Sequence, residues 1–220
     1  MDTSTGHWYP APPFGGTDVA AHAPAAVLPN GDLLIQASPY LHTPSHFFEV
    51  KVKDTDTVGV TQVDGPASAA DVSSFDGRML VLPTAQVLWI NNGGNDLQIY
   101  TPKGSRKTSW APKISGVAPT LVIGSKNNKI AGKNFNGFTF GGYYGSAAQT
   151  ATNYPLVRIT NGASRHVCYA RTHDHNRMGI ADGSKSSTKF DVPKSCEAGG
   201  SALEVVANGI ASDAISVMLQ

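Results

Sequence analysis

Leu28-Pro29-Asn30-Gly31-Asp32-Leu33-Leu34-Ile35 decides the reading of the fold, because its pattern returns about fifty residues later as Leu82-Pro83-Thr84-Ala85-Gln86-Val87-Leu88-Trp89. Each copy is an apolar run, a turn and a second apolar run. A strand-turn-strand unit used twice at a period of roughly 40 to 55 residues is the sequence mark of a β-propeller blade. In the first copy Ala25 to Leu28 and Leu33 to Gln36 form the hairpin. The Asn30-Gly31 pair tolerates positive φ at both central positions of a tight turn. Phe47 to Val52 predicts a third strand and Gly59 to Val63 a fourth. In the second copy Met79 to Leu82 and Gln86 to Ile90 pair around Pro83-Thr84-Ala85, and Leu97 to Pro102 follows, with a fourth strand missing or very short.

Outward from the repeat, the composition agrees. The 220 residues include 23 glycines and 14 prolines, and only 15% are charged, against roughly a quarter in an average globular protein. Turn formers together with Val, Ile, Thr, Tyr and Phe describe short strands, and helical periodicity is hard to find. From Trp110 onward the strands shorten. Pro112 to Ile114, Thr120 to Gly124, Lys129 to Gly132, Phe138 to Phe140, Leu156 to Thr160, His166 to Thr172, Thr188 to Val192, Ala202 to Ala207 and Ala214 to Leu219 follow one another at regular spacing. Such a series predicts an immunoglobulin-like β-sandwich. The expected fold is therefore all-β. Two propeller-blade-like β-meanders, residues 1–105, precede an immunoglobulin-like sandwich, residues 110–220.

The charge balance excludes some partners. A formal net charge of +1 gives no electrostatic footprint for nucleic acid or an anionic membrane. No run approaches the roughly 18 apolar residues of a membrane span. The opening MDTSTGHWYP has neither a basic nor an apolar signal region, and a signal would lie upstream if the chain is part of a longer secreted protein.

Taken together, LPNGDLL at 28–34, MLVLPTAQVL at 79–88, LQIYTP at 97–102, Pro112-Lys113-Ile114, Asn153 to Ile159 and Val205 to Ile210 resemble the C-terminal part of galactose-oxidase-like and bacterial kelch-repeat proteins. The resemblance implies last propeller blades running into an immunoglobulin-like domain, and an extracellular or periplasmic setting. It also implies copper held by a Tyr-His pair before the second turn, but those positions carry Phe75 and Asp76. Phenylalanine has no phenol oxygen, and a carboxylate is a harder ligand than imidazole. The family's copper-radical chemistry is therefore not expected here.

Candidate sites are few. His173 and His175 in Arg171-Thr172-His173-Asp174-His175 would share a face if their strand continued, spaced for one metal; the alternative is a polar strand end. No catalytic motif is found, and no cofactor is expected, with copper or zinc as the alternative. Cys168 and Cys196 either form a disulfide, worth about 3 kcal/mol on the entropic account, or remain two buried thiols. Loop aromatics, among them Trp8, Tyr9, Phe14 and Phe47, and above all Tyr40, Tyr143 and Tyr144, are candidates for stacking on a ligand. The expected function is a non-catalytic binding or structural module with a carbohydrate or protein ligand. The alternative is a metal-dependent oxidase or hydrolase built on His173 and His175. Two blades leave sheet edges unpaired, so a homo-oligomer completing the ring is a further expectation.

Overall fold

The computed structural model describes residues 6–40, 42–52, 58–91, 93–139 and 152–220. The chain is all-β, with no helix of seven or more residues among the described residues. It divides into two compact units, one of described residues through Arg106 and one from Lys107 to the end.

In the first unit, β1 (Asp18–Val19), β2 (Ala25–Val27), β3 (Leu33–Pro39), β4 (His46–Val52) and β5 (Val58–Val63) form one antiparallel sheet. β2 to β5 run as a meander, and β1 pairs with the far end of β3. β6 (Gly77–Val81), β7 (Val87–Asn91) and β8 (Leu97–Tyr100) make a second meander of three strands. Both repeat copies build the same connection. The Leu28 N–H donates to the Asp32 carbonyl and the Gly31 N–H to Leu28, and Leu82 with Gln86 and Ala85 with Leu82 repeat the pair.

The loop is therefore three residues long, which corrects the turn expected for Asn30-Gly31. Only Gly31 (φ 92°) and its counterpart Ala85 (φ 74°) are left-handed there. Pro29 and Pro83 hold φ near −65° at the first loop position, which suits a type I turn followed by one left-handed residue. A two-residue turn with both central φ positive does occur at Asn208-Gly209 (51° and 71°), where Ala207 pairs with Ile210 and no proline intervenes.

Sheet alternation puts Ala26, Leu34 and Phe47 of the first meander into one core with Val81, Val87 and Trp89 of the second. Polar bonds cross the same boundary. Trp89 Nε1 donates to Gln36 Oε1 at 2.9 Å and the Tyr100 hydroxyl to Glu49 at 2.6 Å, while within the first meander Gln36 Nε2 donates to Ser45 Oγ at 2.9 Å. Burial and the Glu49 bond both push the Tyr100 hydroxyl pKa well up, so it stays a donor.

In the second unit, β9 (Lys113–Val117), β10 (Thr120–Leu121), β11 (Asn128–Lys133), β12 (Leu156–Asn161), β13 (Val167–His173), β14 (Lys185–Phe190), β15 (Gly199–Ala207), β16 (Ile210–Ala211) and β17 (Ile215–Leu219) join in one sheet. The order is β10-β17-β15-β12-β13-β14-β11-β9, with β16 on β15. It curls into a half-barrel. The bend falls between β13 and β14, which share only the Thr172–Phe190 and His173–Lys189 rungs. Inside lie Ile130, Val157, Ile159, Ala170, Phe190, Leu203, Val205 and Leu219. Phe138 and Thr139 are not in a strand, contrary to expectation. Phe138 instead stacks on Trp110, with ring centroids 6.5 Å apart. Phe140 lies outside the described residues.

Candidate functional site

β13 alternates strictly. Cys168, Ala170 and Thr172 point into the half-barrel, while Val167, Tyr169, Arg171 and His173 line its outer side. The inner row is fixed by the core and by the bond between Cys168 and Cys196, whose Cα atoms are 5.4 Å apart. The outer row is left free to meet solvent.

Where β13 meets β14, three of these outer residues, Tyr169, Arg171 and His173, line a groove of about 470 Å3 with Asp191 and Pro193. His173 Nε2 lies 3.2 Å from Asp191 Oδ1, and its Nδ1 lies 3.4 Å from Asp174 Oδ2. Asp174 also accepts from Lys189 Nζ at 3.0 Å, and that ammonium holds its carboxyl below the usual value. The Asn127 backbone N–H, donating to Asp191 at 2.9 Å, lowers the Asp191 carboxyl in the same way. Both carboxylates therefore stay ionised through the neutral range. Arg171 makes no hydrogen bond or ion pair among the described residues, so its guanidinium remains a free fork for an incoming acid. The Tyr169 ring, about one-third exposed, lies two residues along the same face.

The structure does not bring His173 and His175 onto one face. β13 ends at His173, and Asp174 turns the chain with φ at 52°. The His175 ring instead stands edge-on to Tyr154, centroids 5.2 Å apart, with its Nε2 buried and without a hydrogen-bond partner among the described residues. Desolvation, helped by nearby His173 and opposed by Asp174, pushes its pKa down. Among the described residues no group of three or more His, Cys, Asp or Glu side chains is arranged to hold a metal. Phe75 and Asp76, at the positions where the resembled family has Tyr-His, sit in the short turn before β6.

The aromatic candidates scatter. Phe14 packs on Phe48 and Phe47 packs on Trp89. Trp8 is 83% exposed, and Tyr40, at φ 57° after β3, is 65% exposed. Tyr143 and Tyr144 lie outside the described residues. Tyr169 and Asp191 were not singled out from sequence, although the outward row Tyr169, Arg171, His173 was legible as alternation along β13. Asp191 comes to the groove through the β13–β14 rungs, which no local pattern announces. No helix is long and apolar enough to cross a membrane. Comparison with protein-family models and with curated proteins found no match.

Proposed function

We propose that the chain is a non-catalytic binding module of an extracellular or periplasmic protein, and that its half-barrel binds acidic carbohydrate in the groove at the β13–β14 bend. One observation carries this reading: an unpaired guanidinium, Arg171, beside an accessible ring, Tyr169, in a concave site whose other polar groups are already positioned by hydrogen bonds. A guanidinium takes a sugar carboxylate in bidentate fashion, and a phenol ring offers an apolar face to the sugar's C–H surface. The Cys168–Cys196 bond supports the oxidising setting.

On this reading the two meanders are propeller blades and the half-barrel an immunoglobulin-like sandwich, its two arms meeting at the bend, as in the galactose-oxidase-like and kelch-repeat proteins. The repeated loop hydrogen bonds and the shared core between the meanders support it. The turn at Asp174, with φ at 52°, gives the metal-dependent alternative on His173 and His175 less support.

Isothermal titration calorimetry with a uronic-acid oligosaccharide and its neutral counterpart tests the proposal. The acidic sugar is expected to bind and the neutral one to bind at least tenfold more weakly. Arg171→Ala and Tyr169→Ala are each expected to cost about tenfold in Kd, or about 1.4 kcal/mol. Equal binding of both sugars, or binding unchanged in the two variants, would reject it.

A further inference from the structure

The second meander has an apolar face that is partly exposed among the described residues. Its strand pairing places Leu80 opposite Leu88, Leu88 opposite Ile99, and Ile90 opposite Leu97, so these five side chains share one side of the sheet. Leu97 is 66% exposed and Ile99 51%, while Leu80, Leu88 and Ile90 are half-buried. Arg78, at the corner of that side, turns its guanidinium to the Phe75 and Gly77 carbonyls. A contiguous aliphatic surface of this kind marks an interaction site.

The repeat says what belongs on it. Aligned by their loops, Leu80, Leu88 and Ile90 correspond to Ala26, Leu34 and Gln36 of the first meander. Strand pairing likewise matches Ile99 to Glu49 and Leu97 to Phe47. In the first meander that side is seated on the second, where it meets Val81, Val87 and Trp89. The packing is therefore head to tail: one side of a meander takes the opposite side of the next. The chain carries a second surface of the receiving type, Val27, Leu33 and Ile35 on the first meander, the counterparts of Val81, Val87 and Trp89. All three are half-buried, and Phe14 covers the neighbouring Phe48 on the β4 side of the same face.

We infer that the Leu80–Leu88–Ile90–Leu97–Ile99 face docks a second copy of this chain, through that copy's Val27, Leu33 and Ile35. The contact repeats between copies the packing already used within one. It is heterologous, so it links copies into a ring or an open series instead of a symmetric pair. It involves no residue of the sugar groove and stands or falls apart from that reading.

Sedimentation velocity on the full chain over a range of micromolar concentrations is the test, with circular dichroism confirming the β-fold of each variant. The wild type is expected to associate as concentration rises. Leu97→Lys removes the donor face and Leu33→Lys the receiving one, so each alone is expected to be monomeric. Mixed in equal amounts they are expected to form a dimer, because each retains the face the other lacks. Val27→Lys replaces Leu33→Lys should the latter lose its fold. A wild type monomeric at every concentration overturns the inference. So does a Leu33→Lys or Val27→Lys chain that self-associates like the wild type, or a mixture that stays monomeric.

Discussion

Ala85 does a glycine's work. It occupies the left-handed position of the second repeat loop at φ 74°, where the first copy has Gly31, and a Cβ in that region is strained. Ala85→Gly is expected to raise stability by about 1 kcal/mol, read as a higher urea midpoint at unchanged slope. His175 belongs to the same scale. Its folded-state pKa lies below the ordinary 6.5 because burial disfavours the cation. As pH falls through that value the unfolded chain takes up a proton that the folded chain refuses, so stability is present above it and drains away below, levelling off under the folded value. Urea unfolding at about pH 7.5 and 5.5 is expected to show a smaller loss for His175→Phe, which keeps a ring against Tyr154, than for the wild type. Equal losses would mean another group titrates. The Asp174 and Asp191 carboxyls, lowered from 3.8, titrate well below this window.

Single strands and their pairing decide the next set of properties. The hairpins at Leu28–Asp32 and Leu82–Gln86 were readable from turn residues between apolar runs, since both strands and loop are local in sequence. Gln36 was not readable. By residue type a glutamine at the end of an apolar run looks solvent-facing, yet it shares the inward face of Leu34 and is fully buried because the indole N–H of Trp89, from another strand, satisfies it. Gly77 makes room for this bond: a Cβ there would sit 1.9 Å from Gln36 Oε1 and 2.7 Å from Trp89 Nε1. Gly77→Ala is expected to cost about 3 kcal/mol by overpacking and by breaking the bond. Intrinsic fluorescence is expected to redden as the Trp89 indole meets water. The groove followed the same division. The outer row of β13 lay open to a count of alternate residues, whereas Asp191 reached it through the two rungs that pair β13 with the next strand, a register no local pattern sets.

At the scale of the molecule, each unit has its own apolar core, so lesions are expected to be read locally. The Cys168–Cys196 bond spans 28 residues of the second unit, and constraining that loop in the unfolded chain is worth about 3 to 4 kcal/mol on the entropic model. Reduction is therefore expected to speed amide exchange in β12, β13 and β15 far more than in β3, β4 and β7. Uniform acceleration along the chain would contradict this. The amino-acid order alone determined the strand class, the repeat, the place of its loops and the alternation along β13, because turn chemistry and two-residue alternation act over a few neighbouring residues. Only the folded chain decided which cysteine state holds, that Gln36 is a core residue, that the chain turns away at Asp174 and which sheet face is partly exposed. Those outcomes depend on contacts between segments far apart in sequence, where the gain from burying one side chain is set by what arrives from elsewhere.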